Sequence, residues 1–552
     1  MKNILIIFAL VVCNNISLSN NEKQSYSIPY SVIRTQVMIN ANNISTWVQN
    51  TGTFNQDIRT TNTPGFEWPK GSGKFAIFTA GLSMGAYVNG GLRLATISYN
   101  GEYAPGYSNA GIGYTDLNFK IYKVKKGDNA ANNPDYANWG LMVPYGAPYI
   151  DIDGNGQFNP LVDKPGVKGA GQTIYQCITD GFPENHTTGE GFGGGTIPLY
   201  SEMHFTAWSY DSIPQLADVQ FVKMEVINKN TLRWDSTFFG IVCDPDVGNA
   251  SDDYIGCDLS RNLGYCYNGT DQDGNGTGNS YGLHPPAVGI DLVKGAHSIA
   301  LPQSELGMTS FVFYNSTGNG GVVCEHDPSS QPITTYNYLK GVKKDGTPWI
   351  NASNNTITRF CYPGDPETNT GWTEYAGLIK NCGGVTTGVV ETSPPGDRRF
   401  ILNSGSLQFH VNPLDTQTFV IAQMIARGTN NKNSVTKLKQ LSDVVQTFYN
   451  NNYTIGVNPI STTIPNKFSL HQNYPNPFNP TTNIKFEIPQ SDLINLSVYD
   501  LNGKLIEEIV NENISAGTYE VKFSGKNLSS GIYFYRLKSS NSVLTNKMIL
   551  LK

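Results

Sequence analysis

The chain has 552 residues, too many for one ordinary hydrophobic core, and its hydrophobic fraction of 39% is too high for a disordered chain. Its 38 basic and 44 acidic residues give a net charge of −6 without long runs of either sign, so the basic footprint that nucleic acid requires is absent. With 57 Gly, 30 Pro and 30 Tyr against 15% charged residues, it reads as a turn-rich chain of short aromatic and β-branched runs, the profile of an extracellular all-β protein.

The N-terminus has the pattern of a secretory signal peptide. Lys2 supplies the positive start, and Ile4 to Cys13 is an unbroken apolar stretch of roughly ten residues, too short to span a bilayer. Ser17 and Ser19 place small residues before a cleavage point, so the peptide is assigned to residues 1–19. A lipoprotein cysteine at Cys13 is the rival reading, but Val12 stands where a small residue is needed. No later segment approaches the ~20 apolar residues of a transmembrane helix.

A β-rich central region follows over residues 20–455, expected to hold two or more β-sandwich-type subdomains. Phe75 to Phe78 and Leu92 to Tyr99 flank the Gly90-Gly91 turn as a hairpin. Thr206 to Tyr210, Val219 to Ile227, Ser236 to Val242, Ile401 to His410 and Thr418 to Ile425 continue as strands. Ser434 to Tyr449 breaks this pattern. Val435, Leu438, Leu441, Val445 and Phe448 fall at helical spacing, with Asn433 or Ser434 as cap, which predicts one amphipathic helix packed on the β core. Residues 456–466 are polar and Pro-containing, a linker.

Seven cysteines remain beyond the signal peptide, and the odd count leaves at least one unpaired. Cys257 with Cys266, and Cys361 with Cys382, are the nearest pairs in sequence; buried free thiols are the alternative.

The best site pattern is Asp151-Ile152-Asp153-Gly154-Asn155-Gly156-Gln157-Phe158-Asn159. Asp151, Asp153 and Asn155 stand at loop positions one, three and five, with Gly156 at six, Gln157 at seven and Asn159 at nine. Alternate residues of a tightly curled loop point inward at a hard cation, so this spacing predicts calcium. Val162 stands at position twelve where a bidentate Glu belongs, Asp163 is one step late, and no flanking helices are evident; a calcium loop in a β context is expected, an Asx/Gly turn being the alternative. Asp271, Asp273 and Asn275 repeat the pattern in a Gly/Asn-rich loop, and Asp244, Asp246, Asp252, Asp253 and Asp258 form a third acidic cluster. Gly81-Leu82-Ser83-Met84-Gly85 matches G-x-S-x-G, but a hairpin follows it where a nucleophile elbow needs a helix. His186 and His204 lack a metal-hydrolase spacing and read as structural.

Residues 467–552 carry a β pattern of their own. Thr482 to Ile488, Ile494 to Tyr499, Lys504 to Val510, Thr518 to Phe523, Gly531 to Leu537 and Val543 to Leu550 are strands separated by Asn/Gly/Ser turns, suggesting a small Ig-like sandwich. Its opening, Leu470-His471-Gln472-Asn473-Tyr474-Pro475-Asn476-Pro477-Phe478-Asn479-Pro480-Thr481-Thr482, resembles that of type A sorting domains of the type IX secretion system. The likeness continues through Val498-Tyr499-Asp500-Leu501-Asn502-Gly503, Ala516-Gly517-Thr518-Tyr519 and Leu528-Ser529-Ser530-Gly531-Ile532-Tyr533. It implies a targeting signal read by the secretion machinery and removed at the outer membrane, the cargo being released or attached to surface polysaccharide. Pro475, Pro477 and Pro480 suggest a semi-extended, protease-accessible linker ahead of the folded signal. Segments of the central region, among them Cys243-Asp244-Pro245-Asp246 and Pro285-Pro286-Ala287-Val288-Gly289, resemble uncharacterised large exported proteins bearing this sorting domain, which implies no activity.

The expectation is thus an exported surface protein whose central region is structural, adhesive or ligand-binding, with an extracellular polymer such as surface polysaccharide as partner. A secreted hydrolase acting on polysaccharide or protein is the alternative, and a buried carboxylate pair in an aromatic-lined cleft is what favours it.

Overall fold

The computed structural model describes residues 33–186, 192, 194–298, 304–316, 322–328, 331–451, 459–461, 465–490, 492–514, 516–526 and 528–552. The expected signal peptide and most of the expected linker lie outside them. The chain divides into two compact units, Met1–Val445 and Gln446–Lys552.

The first unit is built on two antiparallel sheets. One has nine strands, in the spatial order Tyr122–Lys125, Gln172–Thr179, Ser201–Ser209, Val219–Asn228, Thr416–Ala426, Ala287–Lys294, Leu263–Asn268 and Asp253–Asp258, with Ala104–Pro105 beside Gln172–Thr179. The other has six, ordered Ser310–Asn315, Arg398–Gly405, Asp235–Pro245, Phe75–Val88 and Phe66–Glu67, with Gly91–Ala95 paired to Phe75–Val88. The strands are rich in Val, Ile, Phe and Tyr and are buried along most of their length, because both faces of these sheets are covered. The sheets pack face to face: Phe239 meets Phe419 across the gap at 4.7 Å between ring centroids. One continuous apolar core runs from Ile39 to Ile425, so the expected subdomains share a core, with a smaller aromatic cluster around Trp139 and Tyr175 beside it.

Strand boundaries exceed the sequence reading. Phe75–Val88 is one strand of 14 residues that absorbs the whole G-x-S-x-G motif. Gly81, Ser83 and Gly85 alternate along it and so share one face. A Cβ on Gly81 would stand 2.0 Å from Ile97, and one on Gly85 2.9 Å from Tyr336. The small residues make room for side chains pressing on the strand, which is why the motif arises without an elbow.

The helix spans Asn431–Asn450. Val435, Leu438, Val445 and Phe448 are buried, as their spacing requires, and Leu438 lies over Gly289 of the nine-stranded sheet. Ser442 donates from the helix to the Asp291 carboxylate of that sheet at 2.6 Å. Ser434 is not a terminal cap; it lies inside the helix and donates to the Pro285 carbonyl at 2.8 Å.

Neither expected cysteine pair forms. Cys324 bridges Cys382, 58 residues away, while Cys257, Cys266 and Cys361 are buried free thiols. The bridge joins a short turn to the end of the Leu378–Cys382 strand, a proximity set by the tertiary fold and absent from local spacing. Beside it the fully buried Lys343 ammonium pairs with the buried Glu325 carboxylate and donates to the Asn381 carbonyl at 3.0 Å.

The second unit holds two four-stranded sheets. One is ordered Pro459–Ser461, Gly517–Ser524, Thr481–Ile488 and Ser469–Leu470; the other Leu505–Ile514, Asp492–Tyr499, Gly531–Lys538 and Val543–Leu550. Pro459–Ser461, read from sequence as linker, is therefore an edge strand. The core between the sheets is apolar and aromatic, including Phe478, Ile484, Phe486, Leu496, Val498, Phe523, Tyr535 and Met548.

Candidate calcium loops and the sorting domain

The first acidic loop hangs from a two-residue ladder, Tyr149–Ile150 against Lys164–Pro165. That ladder folds the chain back so that Asp163 arrives beside Asp151. Oxygens of Asp151, Asp153 and Asp163 lie within 4.8 Å of one another. Asp151 accepts from the Gly154 and Gly156 N–H groups, each at 2.8 Å, which curl the loop through two glycines at φ 70° and 73°. These contacts, Gly156 first, hold the Asp151 carboxyl below the usual carboxylate range. Asp163 is buried and braces the loop, accepting from Ile152 N–H at 2.8 Å and Asn159 N–H at 2.7 Å. The position-twelve gap is thus filled by the next residue, while Val162 turns outward. Asn155 and Asn159 spend their side-chain oxygens on the N–H groups of Gln157 and Leu161, and Gln157 is exposed. Three carboxylates on a tight, surface-reachable turn fit the oxygen-donor set of a hard divalent cation.

The second loop differs. Asp271 contacts His284 Nδ1 and the Asn431 N–H, each at 2.8 Å. Asp273 is buried and accepts from the N–H groups of Asn249 and Tyr281. Asn275 accepts from Thr277. The three side chains go to separate partners, and among the described residues no carboxylate cluster gathers there. The third acidic cluster also divides. Asp253 accepts from Val247 N–H at 2.9 Å, and Asp258 pairs with Arg261 at 2.9 Å, while Asp244 and Asp246 lie with Asp397, a residue the sequence reading did not single out.

Ser83 lies mid-strand and exchanges hydrogen bonds of 2.9 Å with the Ile97 carbonyl and N–H. His186 is buried, 2.8 Å from the Asp180 carbonyl and close to the Asp180 and Glu102 carboxylates, both of which burial pushes upward in pKa. His204 pairs with Glu202 at 2.9 Å near Cys177. A polar cleft of about 680 Å³ opens among Asn40, Lys123, Lys125, Lys126, Asn132 and Gln172, with Asp128 and Asp135 on its wall. Both carboxylates are engaged: Asp128 with Lys125 N–H and Asn133, Asp135 with Lys120 and Lys123 N–H.

In the second unit, Phe478 is buried to 1% exposure and exchanges backbone hydrogen bonds with Ile549 on the last strand and Leu551 just beyond it. Asn473 donates to the Pro475 carbonyl and to Thr482, and Asn476 accepts from Ile549 N–H at 2.9 Å. Residues 472–551 match the family model of the secretion system C-terminal sorting domain. The sorting domain implies export across the outer membrane to the cell surface or extracellular space, and engagement with the type IX machinery. No helix among the described residues is long and apolar enough to cross a membrane. The Asn-Pro-Phe-Asn-Pro opening of the sorting domain is therefore no free linker. Phe478 is the motif's one large side chain taken into the apolar core, and that burial pins the prolines around it.

No curated protein matches the chain. Among solved structures, a polysaccharide lyase is similar over 65% of this chain and 37% of its own, at 6% identity and a TM-score of 0.17. The adhesin domain of Epf from Streptococcus pyogenes is similar over 64% of this chain and 93% of its own, at 8% identity and a TM-score of 0.12. At these scores neither carries an argument about the central region.

Proposed function

We propose that the central region is a surface module that binds an acidic extracellular polymer, and that calcium at Asp151, Asp153 and Asp163 stabilises it. The cleft beside Lys125 and Lys126 supports the first part. Both lysines are exposed, and amide side chains of Asn40, Asn132 and Gln172 stand beside them. Ammonium groups attract carboxylate-bearing polymers, and amides hydrogen-bond sugar hydroxyls. The cleft's own carboxylates are tied to backbone and lysine partners, which favours binding over hydrolysis. The test is retention of the purified protein on immobilised polygalacturonate, a uronic-acid polymer, against neutral dextran. Retention is expected on the acidic polymer only, weakening as salt rises, and is expected to vanish in Lys125→Glu with Lys126→Glu. Equal retention of that variant, or no retention of the parent, overturns the reading.

A further inference from the structure

Four segments meet at one end of the six-stranded sheet. Asp244 closes the Asp235–Pro245 strand and Asp246 follows it; Asp397 and Arg399 come from the start of the neighbouring Arg398–Gly405 strand; Tyr314 faces Arg399 in register from Ser310–Asn315; Tyr99 comes from the turn beyond Gly91–Ala95. Oxygens of Asp244, Asp246 and Asp397 lie within 4.8 Å of one another. Arg399 contacts two of the three. Its Nε is 3.3 Å from Asp244 Oδ1, its Nη1 is 2.9 Å from Asp397 Oδ1, and it donates to the Tyr99 hydroxyl at 2.7 and 2.9 Å. Tyr99 in turn donates to Asp244 Oδ2.

Two observations show that this network is not closed by its own members. The Oδ1 of Asp244, a residue only 3% exposed, accepts no hydrogen bond. The Asp246 carboxylate, packed against the other two, has no hydrogen-bond or ion-pair partner among the described residues. Gathering three carboxylates at a strand end with a buried oxygen left without a hydrogen bond is costly. The donors are all oxygens.

We propose that Asp244, Asp246 and Asp397 hold a divalent cation of the hard, oxygen-preferring class, calcium in the extracellular setting, at the end of the six-stranded sheet. The site is separate from the Asp151 loop and does not depend on it. The cation would reinforce the end of the ladder in which Cys243 already pairs with Phe400.

The test uses terbium, a calcium mimic whose emission is sensitised by nearby tyrosines, on the full chain carrying Asp151→Ala and Asp153→Ala to silence the surface loop. Tyr99, hydrogen-bonded to one proposed ligand, is the donor. A saturable, tyrosine-excited emission competed by calcium is expected, with at least a tenfold weaker affinity after Asp246→Asn. Asp246 gives up no partner on that change, so folding is retained and circular dichroism verifies it. Asp397→Asn is expected to act alike. Absence of sensitised emission in the Asp151→Ala, Asp153→Ala background overturns the proposal, as does emission unchanged by Asp246→Asn and Asp397→Asn together. Failure of the surface loop to bind calcium leaves this result untouched, since that loop is silent throughout.

Discussion

The two units solve the problem of stability with different chemistry. The sorting domain has an apolar core between two small sheets, and its His471–Glu487 ion pair lies at the surface. The central unit buries charge. Lys343 with Glu325 and Arg398 with Glu374 are almost completely enclosed, and a disulfide stands beside the first pair. A core of hydrocarbon tolerates changes of redox state, pH and ions; a core that encloses charges depends on every partner being present. The signal can then hold its fold on the way out, while the cargo gains the stability of its disulfide in the oxidising exterior.

The largest effect should come from breaking a buried pair. Glu325→Ala leaves the Lys343 ammonium enclosed without its counter-charge and should cost the central unit about 3–5 kcal/mol. In scanning calorimetry the transition of the central unit should fall and that of the sorting domain should stay. Replacing both partners, Glu325→Leu with Lys343→Met, should recover most of that loss. A sorting-domain transition that moves with Glu325→Ala would contradict the contrast between the units. The mirror-image change is Phe478→Ala, which empties a core position of the sorting domain and should cost it roughly 3 kcal/mol. It should also free the Asn-Pro opening, seen as faster proteolysis near Tyr474, with the central unit unmoved. Reduction of Cys324–Cys382 comes next, at about 2–4 kcal/mol for a loop of this length, again in the central unit alone.

These tests rest on contacts that the sequence showed only in part. Strand identity was legible wherever alternation or a β-branched run met a turn, and the helix was legible from five apolar residues at helical spacing. The sorting domain was legible almost residue by residue. What escaped were pairings across distance. Cys382 joins Cys324 because a hairpin end packs beside a turn, and nothing local to Cys361 and Cys382 reveals it. Thr416–Ala426 inserts between Val219–Asn228 and Ala287–Lys294, a strand order no local pattern encodes. Asp163 looked one step late for the calcium spacing, because that spacing assumes a helix after the loop. A strand follows here, and its ladder carries Asp163 in. The docking of Phe478 was missed because three prolines read as linker, although a lone large aromatic among them was the available sign that the segment is anchored.

A pH experiment sharpens the contrast further. Burial pushes the Asp291 carboxyl up to about 8, and one of its oxygens has no hydrogen bond. An unfolded aspartate titrates near 3.9, so the folded protein binds this proton more tightly. Stability is then favoured at low pH, declines as pH rises from about 4, and carries the full penalty above about 8. Asp291→Asn keeps an acceptor for Ser442 and removes the charge. It should raise the melting temperature of the central unit at pH 8, by roughly 2 kcal/mol of stability, and do little at pH 4. A variant no more stable than the parent at pH 8 would mean that Asp291 does not hold its proton.

The smallest effect expected is that of calcium on the Asp151 loop. The cation would bind the folded turn and hardly the unfolded chain, so stability should rise by RT ln(1 + [L]/Kd). Three carboxylates without a bidentate Glu argue for modest affinity, roughly 10⁻⁴–10⁻³ M, within reach of extracellular calcium. At about ten times Kd the gain is roughly 1.4 kcal/mol, which moves the melting transition of the central unit by a few degrees. Asp151→Ala with Asp153→Ala should remove this loop's share of the shift. Asp153→Asn separates the roles, because Asp153 is exposed and Asn keeps an acceptor for the Asn155 N–H while weakening the metal site. It should leave the chelated protein's melting temperature nearly unchanged and shrink the calcium response. The sorting domain, which lacks such a carboxylate cluster among its described residues, should melt at the same temperature in chelator and in millimolar calcium. If the central unit does too, and titration finds no calcium, the loop is a turn held by its own hydrogen bonds.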